Sequence, residues 1–183
     1  HDEFILTIRS LKQKPILIAD AGFMYVAKMS GFAMDYDIFT PDLGELAYLA
    51  DAEAPHPFYT RGFIFHMEDR VEELIKMAYK EGNAAQFMLV KGKTDYICRQ
   101  GKILQKIDRP DIPELEAIGG NGDTITGMIA ALVYKGLTKE KALEISAKAN
   151  RIAGRLAHPT PATQISEIIA RIPEALDCVG EIE

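Results

Sequence analysis

Apolar and polar positions along this chain follow two alternating rhythms. Phe4, Ile5, Ile8 and Leu11 recur at helical spacing and predict a helix over residues 3–13. Pro15-Ile16-Leu17-Ile18-Ala19-Asp20 is instead a continuous apolar run that ends in an acid, the pattern of a strand buried on both faces. A short helix follows from Phe23 to Met29, then a strand over Tyr36–Thr40, then a helix from Asp42 to Leu49. Residues 51–65, with Pro55 and Pro57, read as a long connection. Val71, Leu74, Ile75 and Ala78 mark an amphipathic helix over Glu68–Glu81. Phe87-Met88-Leu89-Val90 marks a third buried strand within Gln86–Lys91. Lys93–Ile107 reads as a hairpin turning at Gln100-Gly101.

The polar, proline-broken stretch 108–118 leads to Gly119-Gly120-Asn121-Gly122-Asp123, from which a helix runs to about Tyr134. Thr138 is placed to cap a second helix that reaches about Ala157. Thr163 is placed to cap a last one through Ile165, Ile168 and Ile169, which Pro173 should close. Strands alternating with helices predict a three-layer αβα architecture around a mostly parallel sheet. Sheets of this class bind ligands beyond the carboxyl ends of their strands. Asp20, Thr40-Pro41-Asp42 and Lys91-Gly92 occupy such ends.

Composition narrows the function. The chain has 183 residues, 48% hydrophobic and 26% charged, which suits a single domain over 1–183 with a real core. Its net charge of −6 comes without a basic block, so neither nucleic acid nor an anionic membrane is an expected partner. The start, His1-Asp2-Glu3-Phe4, lacks the pattern of a signal peptide. Cys98 and Cys178 lack metal or redox spacing and fit a reducing cytoplasm. The expected partner is a small-molecule substrate; a homo-oligomer stays open.

The glycine stretch carries the chemistry. A glycine turn entering a helix gathers free backbone N–H groups, and the helix dipole adds about half a positive charge. That combination holds phosphate. An acid in the same turn would repel a passively bound anion. It makes sense as a base for a nucleophile attacking that phosphate. Asp123 is therefore the candidate catalytic residue, with the N–H groups of Gly120, Asn121 and Gly122 as the anion hole. The bland alternative is a helix-capping acid. A Walker A loop is absent: Gly92-Lys93-Thr94 reads G-K-T, but Phe87 stands where the first glycine is required. GxGxxG fails at Ile125, and the histidines have no zinc spacing.

Gly119 to Gly127 resembles the G-x-G-D anion-hole motif of the ribokinase-like superfamily. Within it, the G-G-x-G-D-x-x-x-G pattern is similar to that of the nucleotide-dependent NAD(P)H-hydrate dehydratase group, related to carbohydrate kinases. Four more segments look alike in order and spacing: Ile18–Gly22, Thr40-Pro41-Asp42-Leu43-Gly44-Glu45, Val90-Lys91-Gly92-Lys93-Thr94, and the closing segment Ala162 to Pro173. The resemblance implies an ATP- or ADP-dependent enzyme with Mg²⁺ that phosphorylates a hydrate hydroxyl and then eliminates phosphate. It also implies several further strands upstream, so that these residues form the C-terminal two-thirds of the usual fold.

By the same resemblance, Glu45 would organise Mg²⁺ through water, and Asp20 and Asp42 would face the substrate. Lys91, Gly92, Gly119 and Asn150 would lie near the nucleotide. Asp42 stands where dehydratases usually carry histidine, and it equally matches the asparagine of the N-x-x-E segment of sugar kinases. A small-molecule kinase is thus the first alternative, and a non-catalytic nucleotide-binding protein the second. His56, Tyr59, Arg61 and His66 would form a lid over the phosphates or an ordinary surface loop.

Overall fold

The computed structural model describes residues 1–54 and 68–181. Of the predicted connection over 51–65, residues 55–65 lie outside the described residues, as do the lid candidates His56, Tyr59, Arg61 and His66. The elements are α1 (Asp2–Ser10), β1 (Ile18–Ala19), α2 (Gly22–Met29), β2 (Ile38–Phe39), α3 (Leu43–Ala50), α4 (Val71–Lys80), β3 (Phe87–Val90), β4 (Asp95–Arg99), β5 (Lys102–Ile107), α5 (Asn121–Tyr134), α6 (Lys139–Ala157), α7 (Ile165–Ile169) and α8 (Ile172–Glu181). One sheet runs in the order β1-β2-β3-β4-β5. β1, β2 and β3 are parallel, with Ile18 opposite Ile38 and Ile38 opposite Phe87, while β4 returns antiparallel to β3. The protein is thus α/β with a mostly parallel sheet, as its alternating pattern predicts. Contacts group the chain into two compact units.

The first unit comprises His1–Gly92 and Tyr96–Leu104. All four residues of β3 are buried, which is why its sequence is continuously apolar. Phe39, Met88 and Val90 share a core with Leu46, Leu49 and Leu74 from α3 and α4. β1 is shorter than the run 15–20. The Leu17 N–H donates to the Asp37 carboxylate at 2.8 Å, so the side chain of Asp37 takes the donor that would have extended the ladder. β4 and β5 turn at Gln100 and Gly101, both at positive φ (50° and 80°), the geometry of a two-residue hairpin.

The second unit comprises Lys93–Asp95 and Gln105–Glu183. Its spine is α6, against which α5, α7 and α8 pack. Thr138 caps α6 by accepting from the Lys141 N–H at 3.3 Å. Ala149, Ala153 and Ile152 of α6 form a core with Met128, Ile168 and Ala175. Gly154 lets a 3₁₀ turn over Pro113–Ala117 approach closely, since a Cβ there would sit 2.5 Å from Leu115 Cδ1.

Two expectations need correction here. Thr163 does not cap the last helix; its hydroxyl accepts from the Thr160 N–H at 2.9 Å. Gln164 caps α7 instead, in a reciprocal arrangement with Glu167. Nor does Pro173 end the helical region. It sits in the first turn of α8, where its missing N–H is not needed.

Candidate functional site

The glycine stretch folds as its composition demands. Gly120 is the N-cap of α5 at φ +88°, a left-handed conformation that a Cβ would strain. A Cβ there would also touch Ile165 Cγ1 at 3.4 Å. The turn presents the first N–H groups of α5 at one end. Asn121 N–H reaches back to Ile118 O at 3.3 Å, a long bond. The first intrahelical bond at this end runs from Thr124 N–H to Gly120 O at 3.1 Å. Gly122 and Asp123 lie between, at positions whose N–H groups have no carbonyl a turn earlier to meet. Asp123 is exposed at the third position of the helix, and the hydrogen bonds that shape the turn do not involve it. Gly119 is exposed beside it.

Beneath this turn lies a polar cluster. Asn150, on α6, is only 2% exposed. Its carboxamide lies 3.0 Å from the Asn121 side-chain carboxamide and 2.8 Å from the Thr124 hydroxyl. That hydroxyl in turn lies 2.6 Å from the Asn121 carbonyl. Both ends of the Asn150 carboxamide are therefore engaged within the protein.

The next residue on α6, Arg151, is also buried. Its Nε donates to Asp95 Oδ2 at 2.7 Å, its Nη2 to Lys93 O at 2.9 Å and its Nη1 to Pro110 O at 3.3 Å. No local spacing announces this pair; its signal is a charged residue set among Ala149, Ile152 and Ala153 on an apolar face.

The other candidates belong to the first unit, at the carboxyl ends of its strands. Asp20 follows β1, and Ala21 after it takes a φ of +46°, rare for a residue with a Cβ. Asp20 Oδ1 accepts from the Ala21 N–H at 3.0 Å and from Lys91 Nζ at 2.9 Å. Lys91 follows β3, and its own N–H donates to Pro41 O at 2.7 Å. Gly92 is exposed next to it. The structure thus pairs two predicted site residues 71 positions apart in sequence, Asp20 and Lys91.

Asp42 and Glu45 are also brought together, as a capping box at the start of α3. Glu45 N–H donates to Asp42 Oδ1 at 2.7 Å, and Asp42 N–H to Glu45 Oε2 at 2.8 Å. Tyr25, which the sequence reading did not single out, donates its hydroxyl to Glu45 Oε1 at 3.3 Å. Burial pushes the Glu45 carboxyl up to about 6, and the negative charge of Asp42 adds to the rise. Burial and the charge of Glu45 also raise the Tyr25 hydroxyl above its usual range.

Mg²⁺ fits the charge of this acidic group, since a cation would relieve the repulsion between Asp42 and Glu45. No three acidic, histidine or cysteine side chains among the described residues form a metal-holding group.

No helix among the described residues is long and apolar enough to cross a membrane. Residues 3–173 match the model of a family described as NAD(P)H-hydrate dehydratase, of the carbohydrate kinase type. An uncharacterized protein of Methanocaldococcus jannaschii is 45% identical over 174 residues, covering 94% of this chain and 75% of that one. A bifunctional NAD(P)H-hydrate repair enzyme Nnr of Hyperthermus butylicus is 32% identical over 112 residues, covering 60% of this chain. The chain spans only 20% of that enzyme's length, and 25% of the Nnr of Pyrobaculum aerophilum, to which it is 27% identical.

Among solved structures, the pyridoxal kinase of Entamoeba histolytica superposes with a TM-score of 0.59 at 18% identity, over 95% of this chain and 63% of that one. A Bacteroides thetaiotaomicron protein provisionally described as a phosphomethylpyrimidine kinase gives 0.60 at 18% identity, over 96% and 66%. These likenesses show the fold, which is the ribokinase-like α/β fold. By the match over residues 3–173, the chain belongs to the NAD(P)H-hydrate dehydratase family.

Proposed function

We propose that this protein uses ATP or ADP to dehydrate a hydrated nicotinamide dinucleotide, by way of a phosphorylated intermediate. The observation that carries the reading is the start of α5. Gly120 in a left-handed cap opens a cluster of N–H groups, and an unengaged Asp123 stands in the same turn. The family match supplies the substrate class.

In the proposed reaction, the N–H groups of Gly120, Asn121 and Gly122 hold the terminal phosphoryl group. Such donors act best where negative charge develops in the transition state. Asp123 takes the proton from the hydrate hydroxyl as its oxygen attacks phosphorus. The bridging P–O bond breaks, and the nucleotide leaves one phosphate shorter. The C–O bond of the new phosphate ester then breaks, and inorganic phosphate leaves with the electron pair. Loss of a proton from the neighbouring ring carbon restores the double bond of the dihydronicotinamide. A bound Mg²⁺ would neutralise phosphate charge. In this reading Glu45, with Asp42, orients its water shell, Asp20 faces the substrate, and Lys91, Gly92 and Gly119 line the nucleotide's path.

One observation favours a kinase as the second reading. Asp42 and Glu45 form the reciprocal D-x-x-E arrangement that matches the kinase N-x-x-E segment in position. A single assay separates the two. Supplied with NADH hydrate, Mg²⁺ and ATP or ADP, the intact protein should restore the absorbance of the reduced nicotinamide. A kinase would leave a stable phosphorylated product of another alcohol. Asp123→Asn should cut turnover by about 10²–10⁴ while nucleotide still binds. Unchanged turnover in that variant, or no nucleotide binding by the natural protein, rejects the proposal.

A further inference from the structure

We propose that Asn150 is a positioning residue that locks the first turn of α5 into its anion-binding shape. The proposal rests on the phosphoryl-transfer reading above. The observation behind it is a closed ring of polar groups buried under the turn. The Thr124 hydroxyl lies 2.6 Å from the Asn121 carbonyl and 2.8 Å from the Asn150 carboxamide, which is itself 3.0 Å from the Asn121 side chain.

The hydroxyl has a single proton to give. It lies within reach of two acceptors, the Asn121 carbonyl and Asn150 Oδ1, and Asn150 Nδ2 donates to Asn121 Oδ1. Both ends of the Asn150 carboxamide are thus held within the protein, at 2% exposure to water.

The ring grips Asn121 twice, by its carbonyl and by its side chain. Asn121 is the first residue of α5, directly after the left-handed Gly120. A glycine cap is conformationally permissive, and the local bonds at Asn121 and Thr124 tie the turn only to its own neighbours. Asn150 adds a constraint from a rigid element. It lies in the middle of α6, between buried Ala149 and an Arg151 tied to Asp95 and to the Lys93 and Pro110 carbonyls. Anion-hole donors are effective only when set in advance, and a misplacement of about 1 Å costs on the order of 10²-fold in rate. Asn150 would act through Asn121, without touching the nucleotide.

The test uses the intact protein with Asn150→Ala, the near-isosteric Asn150→Asp, and the pair Thr124→Val and Thr124→Ser. The expected result is a kcat lowered about 10- to 100-fold in Asn150→Ala and Thr124→Val, with the KM for ATP or ADP within about threefold. Thr124→Ser, which keeps the hydroxyl, should stay within about threefold of the natural rate, and Asn150→Asp should fall between. Amide hydrogen exchange gives a readout independent of turnover. Exchange at the Asn121 and Thr124 amides, which are hydrogen-bonded in the turn, should quicken about tenfold or more in Asn150→Ala, while exchange in β3 stays unchanged. A raised nucleotide KM at unchanged kcat would mean that Asn150 contacts nucleotide, and would overturn the proposal. So would unchanged exchange at the turn. If the natural protein turns over no NADH hydrate, the phosphoryl-transfer reading fails, and the exchange measurement decides the locking role by itself.

Discussion

Removing one partner of the Arg151–Asp95 pair should destabilise the second unit far more than an ordinary ion pair would. The two side chains are 8% and 5% exposed, and their closest approach is 2.7 Å. An exposed pair is worth about 0–1 kcal/mol. A buried charge stripped of its partner costs about 3–5 kcal/mol, because desolvation is no longer offset. In Asp95→Asn, Arg151 keeps two carbonyl acceptors, Lys93 O at 2.9 Å and Pro110 O at 3.3 Å. These dipoles still solvate the guanidinium, so the loss belongs at the lower end, about 3 kcal/mol. Arg151→Met leaves the Asp95 carboxylate buried and frees both carbonyls, so its loss belongs at the upper end, about 5 kcal/mol.

The double variant Asp95→Asn with Arg151→Met leaves no buried charge. It should cost less than the sum of the two by about 1–3 kcal/mol. Urea unfolding followed by circular dichroism measures all four proteins. For a chain of this length each kcal/mol moves Tm by about 2–4 °C, so Asp95→Asn should melt roughly 6–12 °C lower. Single variants within about 0.5 kcal/mol of the natural protein, or strictly additive effects, would refute the reasoning that the pair is buried and coupled.

Gly154→Ala sets two effects against each other. Helix propensity favours alanine by about 1 kcal/mol, whereas a Cβ 2.5 Å from Leu115 Cδ1 overpacks the core at about 1–3 kcal/mol. The clash should win by roughly 1 kcal/mol, and in a Leu115→Ala background the same change should turn stabilising. A gain in Tm from Gly154→Ala alone would contradict the packing. Glu45 predicts a pH signature. Its carboxyl is raised from 4.5 to about 6 by burial, so the folded state binds this proton more tightly than the unfolded chain does. Its contribution to stability is fully present below pH 4.5 and is lost as the pH rises through about 6. Glu45→Gln keeps an oxygen for the Asp42 N–H and cannot titrate. The stability difference between natural protein and variant should therefore fall across that window, and a flat difference would show that Glu45 titrates normally.

Much of the fold is legible because its rules are local. The continuous run Phe87–Val90 announces a strand covered on both faces, Gln100-Gly101 announces a tight hairpin, and Thr138 announces the start of α6. The glycines ahead of Asp123 announce a helix entry bare of side chains, and the resemblance gave that entry a chemistry. Pro173 shows where a local rule is ambiguous. Proline both ends helices and begins them, and only the packing of Ala175 and Val179 into the core selects a beginning.

The long-range pairings within each unit were not legible. Lys91 meets Asp20 across 71 positions, Arg151 meets Asp95 across 56, and Asn150 meets Asn121 across 29. Read alone, Lys91 and Asn150 are both expected near the nucleotide, and nothing in their spacing announces these partners. Sequence by itself determined which residues form helices and strands and that a glycine turn opens α5. Those choices depend on backbone geometry and apolar period over a turn or a strand's length. Tertiary structure alone decided which polar groups are buried together. A buried amide or charge must find its partner wherever packing brings one, and no local spacing records that choice.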